Sequence, residues 1–309
     1  MAGTFTHLVI CDIAKRKALI DEISLRQLLN RYSEFLFLGA VSPDLPYLSF
    51  NTGSVNWANL FHYEKTNGIA INGYAELKST WTNTQVTDEI KLVWLLGYVS
   101  HLVIDSTIHP IVQAIVGDYA HHQDEHRICE MTQDALTFYD WENFELRYAE
   151  FSKRLQFCRE SDHFDALMSF WKKHALGTYA DKGETPDPKL WFATYNEAID
   201  AAEGASGVVA LFRHLGIGTE YLYKTSDEIL SAYPERSEKY YNAVKLPTGN
   251  IGKFAKEGIE RSVANVIDAW NKLYAGLTGN IAVSALIRAW DLDTGEEMGS
   301  PLREVTYWV

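Results

Sequence analysis

Apolar residues recur along this chain with a period close to that of an α-helix. Between residues 15 and 38, Leu19, Ile23, Leu28, Leu29, Phe35 and Leu36 fall at near-helical spacing. From Asp88 to Ile108 the chain is apolar on almost every side, through Leu92, Val93, Leu95, Leu96, Tyr98, Val99, Leu102 and Val103. That pattern marks a helix enclosed by others. Helical patterns follow at 120–140, 142–160, 163–176, 190–203, 220–231 and 256–279. Turn signals separate some of them: GAVSPDLP at 39–46, KGETPDPK at 182–189 and LPTGNIG at 246–252. From 283 to 309, β-branched and aromatic residues flank a DTGEE turn, which fits a short C-terminal β-hairpin. There is no internal repeat and no low-complexity tract. The pattern predicts an all-α bundle forming one compact domain, with a core in 1–140, a helical elaboration in 141–255 and a core-completing helix and hairpin in 256–309.

Composition narrows the function. A hydrophobic content of 47% can bury a full core, which rules out wholesale disorder. The net charge of −13 argues against capture of duplex nucleic acid, although bound cations change a local field without changing this count. Cys11, Cys129 and Cys158 are odd in number and lack CxxC spacing, so they form neither a disulfide framework nor a thiolate zinc site. Residues 1–20 lack the basic and apolar regions of a signal peptide. The stretch from Ile90 to Val116 is interrupted by Lys91, His101, Asp105 and His109, so no transmembrane segment is expected. A soluble, cytoplasmic protein is the expectation.

Histidine placement carries the chemistry. Seven of the ten histidines precede residue 127: His7, His62, His101, His109, His121, His122 and His126. His101 with Asp105, and His126 with Glu130, stand at i, i+4 and point from one helix face at a common place. Pro110 biases His109 away from the α region, which predicts that the helix ends or kinks there and swings His109 toward a second place nearby. Imidazole and carboxylate are the ligands that suit Zn²⁺ at about 2.0–2.2 Å. Asp105, between two histidines, is placed to bridge two metals ~3.5–4 Å apart. One such pair alone is more often a surface contact. Inside an apolar helix, however, a carboxylate needs a counter-charge, and either a metal or a His–Asp hydrogen bond supplies it.

The segments GAVSPDLPYL, NLFHYE, LGYVSHLVIDSTIHP and HHQDEHRICE resemble the zinc-dependent phospholipase C family, which shares its fold with the S1/P1-type nucleases. The resemblance covers about residues 5–140, with the helix at 256–279 completing the bundle. It implies two or three Zn²⁺ ions: the first held by Asp44, His62, His101 and Asp105, the second by His109, His126 and Glu130, the third by His7 with Asp105 shared. It also implies hydrolysis of a phosphodiester, most simply a phospholipid head group, by a metal-activated water, with Asp44 the candidate general base.

Departures from the family pattern qualify those expectations. Secreted members begin with a Trp that ligates the third metal; here the chain reads MAGTFTH, leaving that metal absent, weakly held or completed by another group. The nucleases carry an HQPxH run that is missing here, and Glu130 matches the lipase side, so phospholipase is favoured over nuclease. Leu45 and Asn59 stand where choline-selective members place aromatics. Tyr47, Trp57, Phe61 and Tyr63 are then either a cation–π wall or, on balance, core aromatics. His121 and His122 read equally as an extra ligand or a solvated pair; His163, His174 and His214 read as surface or satisfied core residues. The clusters QDE at 123–125 and GEE at 295–297 read as solvated faces. No GxSxG, P-loop or GxGxxG competes. Two alternatives stay open: an S1/P1-like nuclease or hydrolase of a soluble phosphodiester, and a non-enzymatic helical module with structural zinc. The oligomeric state is not legible.

Overall fold

The computed structural model describes residues 3–17, 23–49, 52–81, 85–143, 145, 151–182, 185–204, 224–279 and 283–308. Its axis is helix α6, Val86–Val116, a 31-residue rod about 46 Å long at the usual rise per residue. The helices α1 (Thr4–Arg16), α3 (Ser33–Val41), α5 (Gly68–Thr80), α7 (Gln123–Glu142), α9 (Phe164–Thr178) and the late helix Arg261–Thr278 pack round it. The rod is apolar enough by length and composition to cross a membrane, but its apolar surface is buried inside the protein. Ser100, Ser106 and Thr107 satisfy their hydroxyls on the carbonyls four residues back, so α6 carries polar groups through the core without orphaning them. Asp88 and Glu89 in its first turn complement the helix dipole, and Gly117 at φ +97 ends it.

One sequence expectation fails here. The helix neither ends nor turns at His109; it continues through Pro110 to Val116. The proline removes one N–H, whose acceptor would be the Ser106 carbonyl, but tertiary packing on every side outweighs that loss. His109 therefore stays on the face of His101 and Asp105, two helical turns along.

Most of the remaining helical pattern is realised: α2 (Ile23–Arg31) and α3 answer to 15–38, α7 to 120–140, α8 (Phe151–Glu160) to 142–160, α9 to 163–176 and α10 (Pro188–Gly204) to 190–203, while residues 18–22, Leu19 among them, and 146–150 lie outside the described residues. The pattern at 220–231 corresponds to Ser226–Ala232, and that at 256–279 to Ala255–Glu260 running into Arg261–Thr278. The helices α1, α4 (Thr52–Tyr63) and α5 carry weaker signals, because Thr, Asn and Gly dilute their periodicity; burial makes them helical, of α1 and α5 against α6 and of α4 against the turn Leu45–Ser49.

Two contacts fix the elements that carry the site. Gly39 of α3 and Gly97 of α6 meet at the helix crossing, where a Cβ on Gly97 would lie 2.1 Å from the Leu36 carbonyl oxygen and one on Gly39 2.0 Å from that of Trp94. At the start of α1, the buried Asp134 accepts from the Thr6 backbone N–H at 2.9 Å and from its hydroxyl at 2.6 Å, tying α1 to α7 one residue before His7. The C-terminal segment folds back with isolated bridges Trp290–Glu297 and Glu296–Val305 around the DTGEE turn. A two-residue antiparallel hairpin also forms across the LPTGNIG turn, Val244–Lys245 with Ile251–Gly252.

Candidate metal centre

Four helices and one turn bring the candidate side chains together. His7 comes from α1, Asp44 from the turn after α3, His62 from α4, His101, Asp105 and His109 from α6, and His126 with Glu130 from α7. His7, Asp44, His62, His101, Asp105 and His109 are buried.

Asp105 is the hub. Its Oδ2 lies 3.2 Å from His101 Nε2 and 3.9 Å from His62 Nε2; its Oδ1 lies 3.1 Å from His7 Nε2 and 3.6 Å from His109 Nε2. One oxygen thus faces each of two neighbouring positions. Around the first, Asp44 Oδ1 is 3.1 Å from His62 Nε2 and 3.8 Å from His101 Nε2, and the two Nε2 atoms are 3.3 Å apart. Ligands about 2.1 Å from a tetrahedral zinc stand about 3.4 Å from one another, so Asp44, His62, His101 and Asp105 are spaced as donors round a common ion. Around the second, His109 Nε2 is also 3.7 Å from Glu130 Oε1. The His7 and His101 rings stack at 4.3 Å, which holds His7 against the hub.

The tautomers supply a sharper test of fit. His62 Nδ1 lies 2.8 Å from the Ala58 carbonyl, His101 Nδ1 2.9 Å from that of Ala40, and His109 Nδ1 against that of Leu292. A carbonyl oxygen can only accept, so each Nδ1 carries the proton and each Nε2 presents a lone pair. Two such lone pairs facing one another at 3.3 Å in a buried site repel unless a metal ion or a shared proton lies between them. Among the described residues, Asp44 Oδ2, His109 Nε2 and both nitrogens of His7 make no hydrogen bond. These donors fit zinc.

The electrostatics agree. Burial alone would raise the Asp105 carboxyl, yet attraction to His109, His101 and His7 in their protonated forms outweighs it and holds the group well below the usual carboxylate range. Asp44 is lowered in the same way: burial opposes, but His101 and His62 prevail. Burial pushes the His109 imidazole down to about 4, leaving it neutral and able to ligate near pH 7. Burial pushes Glu130 up to about 7. The folded protein then holds a proton that an unfolded chain has released, so Glu130 contributes stability that is lost as pH rises through about 7. Across about pH 5–8 metal-free protein is expected to lose up to about 3 kcal/mol of stability from this group, offset below about pH 6.5 by the lowered His109 imidazole, and Glu130→Gln is expected to turn the slope toward greater stability as pH rises, as thermal unfolding would show. An unchanged slope in the variant would place its origin elsewhere.

Not every expected residue joins the cluster. His126 directs Nε2 at the Gly117 carbonyl, 2.7 Å away, and ligation through that atom requires the bond to be released. His121 is an exposed residue paired with Asp118, and His122 lies exposed ahead of α7 beside Gly117. His174 is buried against Glu76 and His163 bonds Thr87, as expected of satisfied histidines; His214 lies outside the described residues. The four aromatics divide. Trp57 and Phe61 belong to a buried cluster with Trp191 and Tyr179, whereas Tyr47 and Tyr63 are half-buried, with rings 5.4 and 6.2 Å from that of His62. QDE is exposed, but GEE is not a solvated face: Gly295 is buried, and Glu296 and Glu297 are partly covered and bridged to neighbouring segments.

Sequence reasoning missed the C-terminal contribution. Asp293 accepts from the Tyr63 hydroxyl at 3.0 Å and lies close enough for its charge to act on His109, His126 and Glu130. The only local signal is the Asx turn that sets its backbone, in which Asp291 accepts from the N–H groups of residues 293 and 294.

An all-α bundle thus encloses convergent histidines and carboxylates that could hold metal ions. The chain belongs to the zinc-dependent phospholipase C family, whose model matches residues 6–183, more than half of its length. No curated protein and no solved structure matches it.

Proposed function

We propose that the protein is a zinc-dependent phosphodiester hydrolase that releases head groups from phospholipids by phospholipase C-type cleavage. The observation that carries this reading is the buried pair of His62 and His101 lone pairs, flanked by Asp44 and Asp105. In this reading Asp44, His62, His101 and Asp105 would hold one ion. His109 and Glu130, with Asp105 shared, would hold a second, His126 would join on releasing Gly117, and His7 would complete a third position beside Asp105. Bound zinc supplies positive charge to the phosphoryl oxygens and lowers the pKa of a bound water. The protein's own groups do the rest. Asp44 divides its labour between two oxygens: Oδ1 faces His62 and His101, while Oδ2, without a hydrogen bond among the described residues, is available to take the water's proton. That division relieves the competition between ligand and base roles.

The test is release of phosphorylated head groups from mixed-phospholipid micelles by zinc-replete protein, run beside bis(p-nitrophenyl) phosphate as a soluble phosphodiester. Head-group release that is abolished by EDTA and restored by Zn²⁺ is the expected result. Turnover of the soluble diester alone would favour the second reading, a hydrolase of soluble phosphodiesters, which the charge of −13 also supports because anionic lipid surfaces repel it. Turnover of neither by folded, zinc-loaded protein would overturn the proposal.

A further inference from the structure

The C-terminal strap, residues 287–308, lies outside the family match at 6–183, yet it reaches the cluster from behind at two backbone atoms. The Leu292 carbonyl accepts from His109 Nδ1, and the Leu292 N–H donates to the His62 carbonyl at 3.1 Å. His62 and His101 are oriented by carbonyls of their own helix or of α3, at Ala58 and Ala40; among the described residues, the His109 Nδ1 partner comes from the strap. The strap is also docked on the turn of α6 that carries His109. The Trp308 indole donates to the Thr107 carbonyl at 2.8 Å. Gly295, at φ +68, packs on the Ser106 carbonyl, the acceptor that Pro110 leaves without its helical donor; a Cβ there would lie 2.7 Å from both that oxygen and Pro110 Cγ. Thr66, in the loop after α4, donates to the Trp290 carbonyl at 2.7 Å and closes the strap on its other side.

We infer that this strap is a positioning element of the metal centre. It fixes the His109 tautomer and ring so that Nε2 faces Asp105 and Glu130, and it thereby sets the affinity of the second metal position. The inference rests on the metal reading of the proposed function. Pro110 becomes part of the same device: a proline inside α6 vacates the surface on which Gly295 seats.

The experiment is a Co²⁺ titration of metal-free protein, following the visible d–d absorption, for wild type, Trp308→Phe and Gly295→Ala. Far-UV circular dichroism and thermal unfolding without metal accompany it. Trp308→Phe keeps an aromatic ring there, at some loss of volume, and removes the indole donor; Gly295→Ala pushes the strap off α6. One Co²⁺ equivalent is expected to weaken about 10–100-fold and to change its absorption band, the size of effect usual for groups that orient ligands. The equivalent held by Asp44, His62 and His101 is expected to shift less. Should Gly295→Ala fail to fold, Trp308→Phe decides alone. Folded variants that bind every equivalent with wild-type affinity and spectrum would overturn the strap's role while leaving the metal centre standing. A wild type that binds no Co²⁺ would overturn both.

Discussion

Replacing Asp105 by alanine is expected to strip the metal centre of all but one ion at most. This one carboxylate faces His7 and His109 with one oxygen and His62 and His101 with the other, at 3.1–3.9 Å, and is fully buried. Without it both positions lose their shared negative charge, and His7 loses its partner. Zinc retained after dialysis is expected to fall to at most one equivalent, and phosphodiester turnover by at least about 10³-fold, since the metals carry several kcal/mol of transition-state stabilisation. The metal-free fold is expected to persist, because α6 is held by apolar packing along its whole length rather than by this group. Asp105→Asn, nearly isosteric, separates charge from volume and should show the same metal loss. Metal content by atomic emission, with melting curves in EDTA and in Zn²⁺, checks it. A variant that melts far below metal-free wild type while keeping normal zinc would point to a structural site instead.

Gly97→Ala, like Gly39→Ala across the same crossing, is expected to be strongly destabilising. The added Cβ would meet the Leu36 carbonyl oxygen at 2.1 Å and the Ala40 N at 2.9 Å, and backbone atoms cannot rotate aside. The α3 and α6 backbones must separate, at a cost of about 3 kcal/mol or more by analogy with overpacked cores. The same separation draws the Ala40 carbonyl away from His101 Nδ1, so metal affinity is expected to fall with stability. Gly177→Ala is the control. Its Cβ meets nothing within 4 Å on an exposed face of α9, and it is expected to be neutral or stabilising by up to about 1 kcal/mol. Denaturant unfolding of both variants distinguishes them; equal midpoints would refute the helix-crossing argument.

The pairs His101/Asp105 and His126/Glu130 illustrate how far local spacing reaches. Residues at i, i+4 on a helix share a face whatever the rest of the chain does, so the first pair's convergence at 3.2 Å followed from the sequence. His126 had the same spacing and went elsewhere, to the Gly117 carbonyl, because the loop between α6 and α7 brings that acceptor close, and nothing local records it. Pro110 misled for a related reason. Its local preference to end a helix is worth only a few kcal/mol, and burial of α6 on all sides exceeds it.

The sequence by itself determined the helical class, the central apolar helix, the family, and the residue types from which a zinc site can be built, because these depend on periodicity and on motifs within single segments. Only the tertiary structure decided which nitrogen of each histidine faces the hub, which oxygen of Asp44 is left open, and that Leu292 and Asp293 belong to the site. Those facts arise from contacts between segments as much as 230 residues apart, as between Tyr63 and Asp293. Contacts of that range depend on the packing of the whole bundle, and local patterning does not encode them.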